Sequence, residues 1–124
     1  MSFLQRLRDS QTPLLDWIPL TDIEQLNDID RLSQEKPVVI FKHSTTCGIS
    51  ASAKYRLQAD WDELPEDIQF YFLDLLAYRH ISNEVASRYG VRHESPQVLV
   101  IKDGQASFNT SHHRISAGRL SEVL

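Results

Sequence analysis

The sequence predicts one α/β domain with a central mixed sheet flanked by helices, in the element order βαβαβαββα. Three observations predict it. A β-branched run at Pro37–His43 and a second apolar run at Phe70–Leu75 are each short and bounded by polar residues, as strands buried on both faces are. A helical apolar pattern lies between them, which favours parallel pairing. Further on, Asp103-Gly104 separates two more strand-like segments, Gln97–Lys102 and Ala106–Ser111, a strong hairpin signal.

Each element follows in order. Residues 1–15 read as an N-terminal appendage ending near Pro13, with the domain proper at 16–124. Trp17-Ile18-Pro19-Leu20 suits a short first strand, and Pro19, lacking an amide hydrogen, points to a sheet edge. Thr21-Asp22-Ile23-Glu24 has capping-box form, with Ile23, Leu26 and Ile29 as the inner stripe of a first helix. After the buried strand comes the polar turn Ser44-Thr45-Thr46, then Cys47. A helix with Ile49, Ala53 and Leu57 at four-residue spacing is expected next, capped by Thr45 or Thr46. A third helix is expected from Ser82 to Tyr89, with Val85, Ala86 and Tyr89 turned inward and Gly90 as its stop. The hairpin follows, and Ser116–Leu124 closes the chain as a helix using Leu120, Val123 and Leu124. This order resembles the thioredoxin arrangement. Ser95-Pro96 falls just before the hairpin's first strand, where thioredoxin-fold proteins carry a cis-proline facing the active site.

Bulk properties exclude several classes. With 124 residues, 41% of them hydrophobic, the chain has enough apolar side chains for one core without disulfides or metal. A net charge of -4 argues against general nucleic-acid binding, which needs a basic face. Part of the acidic excess, at Asp60, Asp62, Glu63, Glu66 and Asp67, reads as a solvated helix end and loop. No apolar run is long enough to cross a bilayer, and Met1–Arg8 lacks the apolar stretch of a signal peptide. The single cysteine permits no intramolecular disulfide, and together these features favour the cytoplasm, where thiols are kept reduced.

Chemistry is expected at Cys47. A sulfur at a strand-to-helix turn lies near amides that lack helical partners and near the positive end of the helix dipole, which favours the reactive thiolate. Ser50 stands where a dithiol motif would carry its second sulfur, so Cys47 can attack a disulfide but needs an external thiol for release. Ser50 either donates a hydrogen bond to the thiolate or caps the helix. Lys42 and His43 end the strand that leads into the site, and strand alternation lets only one of them share its face. Arg92 and His93, in the loop before Ser95-Pro96, either meet an anionic thiol cofactor or remain solvated loop charges. The five histidines have no spacing to cysteine that suggests zinc, and His112-His113 reads as surface.

The motifs Phe41-Lys42-His43-Ser44-Thr45-Thr46-Cys47-Gly48-Ile49-Ser50, Glu94-Ser95-Pro96-Gln97 and Ile101-Lys102-Asp103-Gly104 together resemble the monothiol bacilliredoxin family, also known as general stress proteins of the bacillithiol redox system. Ser111-His112 followed by Arg114-Ile115-Ser116 resembles that family's closing motif, and the similarity runs from about Trp17 to the end of the chain. The resemblance implies removal of bacillithiol, a cysteinyl low-molecular-weight thiol, from mixed disulfides on proteins. It makes Cys47 the attacking thiol, with Ser95 and Pro96 holding the incoming disulfide through the backbone. With Thr46 and Gly48 flanking the sulfur, and Arg92 and His93 nearby, these residues form the expected thiol-binding set. The implied partners are S-thiolated proteins and the small thiol, without a bound cofactor. Gly48 stands where the family often has proline, which would rigidify the first helical turn. Gly48 also brings the motif close to the Cys-Gly-Phe-Ser of monothiol glutaredoxins, which hold a bridging iron–sulfur cluster. Here Ile49 replaces the phenylalanine, and the Gly-Gly-x-x-Asp loop is missing. The alternative functions are therefore a cluster carrier or a non-enzymatic, stress-related binding module.

Overall fold

The computed structural model describes residues 17–124, so the appendage expected at 1–15 lies outside the described residues. Its organising element is strand β2 (Val38–His43), in which every residue is buried. β2 pairs in parallel with β3 (Gln69–Asp74) and antiparallel with β4 (Gln97–Lys102). The short β1 (Trp17–Pro19) lies parallel to β3 at one edge, and β5 (Gln105–Ser111) lies antiparallel to β4 at the other. The strand order β1-β3-β2-β4-β5 is a mixed sheet. Helices α1 (Gln25–Leu32), α2 (Gly48–Ala59), α3 (Arg79–Tyr89) and α4 (Ala117–Val123) flank it. The expected fold class holds.

Alternation along the strands divides the core into two layers. Val38, Ile40, Tyr71, Leu73, Leu99 and Ile101 face α1 and α3, meeting Leu26, Ile29, Ile81 and Val85. Val39, Phe41, Phe70, Val98 and Val100 face α2 and α4, meeting Ala53, Leu57 and Leu120. Both faces are covered, which is why the strand runs are continuous rather than alternating in polarity. Pro19 sits on the edge strand, as its missing amide requires. At the hairpin turn Asp103 and Gly104 have φ of 51° and 72°, the left-handed pair that Asp-Gly accommodates.

Three local expectations are corrected. The capping box at Thr21–Glu24 does not form. The Gln25 side chain instead accepts from the amides of Thr21 and Asp22 and donates to the Pro19 carbonyl, so α1 starts at Gln25 and Ile23 is exposed. Neither Thr45 nor Thr46 caps α2. The extended residue at its start is Cys47 itself, and Ile49 turns to solvent while Ser50 joins Ala53 and Leu57 inside. α3 begins at Arg79, a turn earlier than Ser82, because Ile81 extends the four-residue stripe through Val85 and Tyr89. Gly90 ends it with φ 63°. In the second layer Phe41 packs against Trp17 at 5.5 Å, His43 at 5.8 Å and Phe72 at 6.1 Å between ring centroids. Phe41→Ala should therefore lower stability by about 3–5 kcal/mol in urea denaturation, since no neighbour fills the space of a central ring.

Candidate active site

Strands β2 and β3 end, and β4 begins, at the same edge of the sheet, so the loops gathered there carry the predicted chemistry. In open α/β sheets this carboxyl edge is where ligands bind. β2 ends at His43, and the chain turns through Ser44-Thr45-Thr46 into Cys47. The Cys47 amide donates to the Ser44 carbonyl at 3.1 Å, and the Cys47 carbonyl accepts from Ala51, the first helical bond of α2. Cys47 is the free cysteine and is partly exposed. Its side chain makes no capping bond, so the amides of Gly48, Ile49 and Ser50 keep their field directed out of the helix start. Thr45, Thr46, Gly48 and Ile49 are exposed around it.

Ser50 is fully buried and is committed elsewhere. Its oxygen accepts from the Ser44 amide at 3.1 Å and lies 2.6 Å from His43 Nδ1. The hydroxyl thus joins the Ser44 amide to the His43 ring. Burial and the nearby Lys54 ammonium hold His43 below the ordinary histidine range, against the pull of Asp74 and Ser50. The ring is therefore neutral at pH 7 and lies tilted against Phe72, 5.2 Å between ring centroids, and the Lys54 ammonium lies 4.9 Å from the Phe72 ring centre. Of the two roles expected for Ser50, neither is seen. The hydroxyl pins the strand end to the first turn of α2.

Lys42 points to the opposite face, as alternation requires, and is 0% exposed. Its ammonium donates to the Ser82 carbonyl of α3 at 3.3 Å and meets His93 Nδ1 at 3.4 Å, while Ser82 Oγ lies 3.3 Å from the same nitrogen. Burial pushes Lys42 down to about 8. His93 is likewise lowered, by burial first and then by Lys42 and Arg79. His93 is exposed, with its Nδ1 meeting Lys42 and Ser82. Arg92 is exposed, and its carbonyl accepts from the Gln97 side chain at 2.9 Å.

The Ser95-Pro96 bond is cis. The β2–β4 register pairs Lys42 with Gln97, so Pro96 stands one step further, level with His43. On its other side the Pro96 carbonyl accepts from His112 at 3.0 Å. His43, Pro96 and His112 therefore occupy one row across three neighbouring strand ends, spaced about 4.8 Å apart. The turn His112–Arg114 is fixed from behind by Arg56 of α2, which donates to the carbonyls of His112 and Ile115 at 3.2 Å each. Glu94 accepts a hydrogen bond from Ser111 beside it.

With this geometry, residues 18–120 match the family model of the monothiol bacilliredoxin BrxC. The chain belongs to the monothiol bacilliredoxin family. Among solved structures, the chain is similar to a thioredoxin-fold protein described as a candidate oxidoreductase, at 31% identity and TM-score 0.74, covering 86% of this chain and 91% of that one. A thioredoxin from Nicotiana alata superposes with TM-score 0.65 at 18% identity, covering 88% and 90% of the two chains. One from Fasciola hepatica does so with 0.61 at 22%, covering 85% and 93%. At those identities the two thioredoxins speak to the fold alone.

The residues around this edge that sequence reasoning gave no role are Ser82 and Lys54, which look like ordinary helix residues, and Glu94, which it named only within its motif. Two outcomes test the geometry. Ser50→Ala leaves the Ser44 amide without its partner and should cost about 1–3 kcal/mol of stability in urea denaturation. For Lys42, the unfolded chain keeps the proton to about 10.5 whereas the folded protein releases it near 8, so folding sheds a proton between those values. Stability should then rise with pH from 8 towards 9.5 in wild type, and this rise should be absent from Lys42→Met over the same window.

Proposed function

We propose that this thiol oxidoreductase removes a low-molecular-weight thiol, bacillithiol in the first instance, from mixed disulfides on proteins. The observation that carries the reading is the place of Cys47, the single cysteine: partly exposed, without a capping bond, at the start of α2 and beside the strand-end row that holds Pro96.

The chemistry follows from a lone sulfur. The Cys47 thiolate attacks the small thiol's sulfur in the mixed disulfide. A bond forms between these two sulfurs, the bond to the substrate protein breaks, and that protein leaves as a thiolate. A second molecule of the small thiol, as thiolate, then attacks the small-thiol sulfur held on Cys47. Cys47 is released reduced, and the two small thiols depart as their disulfide, so the electrons come from the external thiol. Ser50 cannot substitute for a resolving sulfur, and its buried hydroxyl already serves His43 and Ser44. The backbone beside Ser95 and Pro96 is the surface offered to the incoming disulfide, and Thr46 and Gly48 flank the attacking sulfur. Arg92 is exposed on the same loop. No bound cofactor is required: the co-substrate is the thiol, the partners are S-thiolated proteins, and the work belongs in the cytoplasm, where reduced thiols abound.

Incubation with a bacillithiolated protein should move the thiol onto Cys47, read as the corresponding gain in intact mass. Cys47→Ser should abolish the transfer, and Ser50→Ala should slow it without stopping it. An unmodified Cys47 that still reacts with a small alkylating agent would sink the proposal.

A further inference from the structure

A cleft of about 450 Å³ opens beyond Pro96, between the loop at Glu94, the end of β5, the turn at His112–Arg114 and the first turns of α4. Its volume is that of a small-molecule site. Its walls are polar and cationic: Arg114 and Arg119 line it together with His112 and His113. The one carboxylate in the wall, Glu94, is engaged by the Ser111 hydroxyl.

The cations of this chain divide into paired and unpaired ones, and among the described residues Lys54, Arg79 and Arg92 also stand outside any salt bridge. Arg31, Lys36 and Arg88 are each paired with carboxylates, and Arg56 is spent on backbone carbonyls. Among the described residues, Arg114 and Arg119 enter no salt bridge, in a protein of net charge -4. Arg119 lies 6.0 Å from the centre of the Phe108 ring, which supports its guanidinium on an apolar face. Two guanidinium groups in one cleft suit a ligand with carboxylates, which they can grip in a forked geometry.

Position gives the cleft its meaning. It begins at His112, two strand ends from His43, so the distance from the end of β2 is on the order of 10 Å. The turn that bears Cys47 starts from that strand end, and a small cysteinyl conjugate has a length of the same order. We infer that the cleft binds the carboxylate end of the low-molecular-weight thiol while its sulfur is exchanged at Cys47. This rests on the reading that Cys47 exchanges with a small thiol. It also moves the expected anion contact away from Arg92 and His93, to the other side of Pro96.

The test uses the full chain, whose one cysteine is first converted to a mixed disulfide with 2-thiopyridine. An incoming thiolate attacks the Cys47 sulfur, the Cys47–S–S–R bond forms, and thiopyridone leaves and is read by absorbance. Three probes are compared: mercaptosuccinate with two carboxylates, uncharged 2-mercaptoethanol, and cationic cysteamine. In Arg114→Ala/Arg119→Ala the rate ratio of mercaptosuccinate to 2-mercaptoethanol should fall about fivefold or more relative to wild type. Arg114→Glu/Arg119→Glu should shift preference further, towards cysteamine. Should either variant fail to fold by circular dichroism, added succinate should slow mercaptosuccinate, and not 2-mercaptoethanol, on wild-type protein. Unchanged ratios in the folded variants, or no competition by succinate, overturn the inference. A loss confined to an acidic S-thiolated peptide overturns it too, and gives the cleft to a protein partner. If Cys47 cannot be labelled at all, the exchange reading itself fails and the cleft assignment falls with it.

Discussion

The site depends on how one buried strand is made to stop. β2 is covered on both faces, and its chain must leave the sheet and start a helix within four residues. The Ser44 peptide unit meets that demand. Its amide donates to Ser50 Oγ in the first turn of α2, and its carbonyl accepts from Cys47. Both bonds fold the chain back on itself, so the sulfur is carried by a turn tied at two points. Had the Ser50 hydroxyl bonded the sulfur, the strand end would have lost this tie. The monothiol motif thus has a structural reason for serine at the second position, separate from the chemistry that a cysteine there would add.

The two residues before that turn show how strand alternation separates tasks. His43 faces α2 and stays neutral between aromatic rings, under the influence of Lys54. Lys42 faces α3 and ties the Ser82 carbonyl and His93 to the centre of the sheet. A buried ammonium is costly unless its hydrogens find acceptors, and here a helix carbonyl and an imidazole supply them. The loop carrying Ser95 and Pro96 is thereby held from below, through His93 and the Gln97 bond to the Arg92 carbonyl. The proton released by Lys42 above pH 8 belongs to this scaffold, not to the sulfur.

Much of this was legible in the residues. Continuous apolar runs, the Asp103-Gly104 turn and Gly90 act through local rules, and each appears where the chain predicts it. The cis bond at Pro96 and the place of Cys47 at a helix start followed from the order of elements. What failed were the caps and the first turns of helices. At α1 a longer side chain, Gln25, reached the free amides ahead of Thr21, and a choice among competing acceptors is settled only by three-dimensional reach. Ile49 was read inward from its spacing to Ala53 and Leu57, yet Ser50 took the inner position because its hydrogen bonds offset its polarity. The arginine cleft was least legible. Ser111, Arg114 and Arg119 lie close in the chain, but Glu94 stands on the far side of the hairpin, which folds it back to them.

A single sulfur changes what the rest of the fold has to supply. A dithiol protein resolves its own mixed disulfide, because the second sulfur is present at a high effective concentration. Cys47 has no such neighbour, so its turnover waits for a thiol from solution, and any feature that gathers thiol near the strand ends shortens that wait. On the proposed reading, the row His43, Pro96, His112 sets three stations at that edge: the turn bearing the sulfur, a backbone surface for the disulfide, and the arginine-lined cleft beyond. In this arrangement the compensation for the missing cysteine is not at Ser50, where the motif would place it. On the proposed reading it lies two strands away, at the cleft that would take the carboxylate end of the thiol exchanged at Cys47.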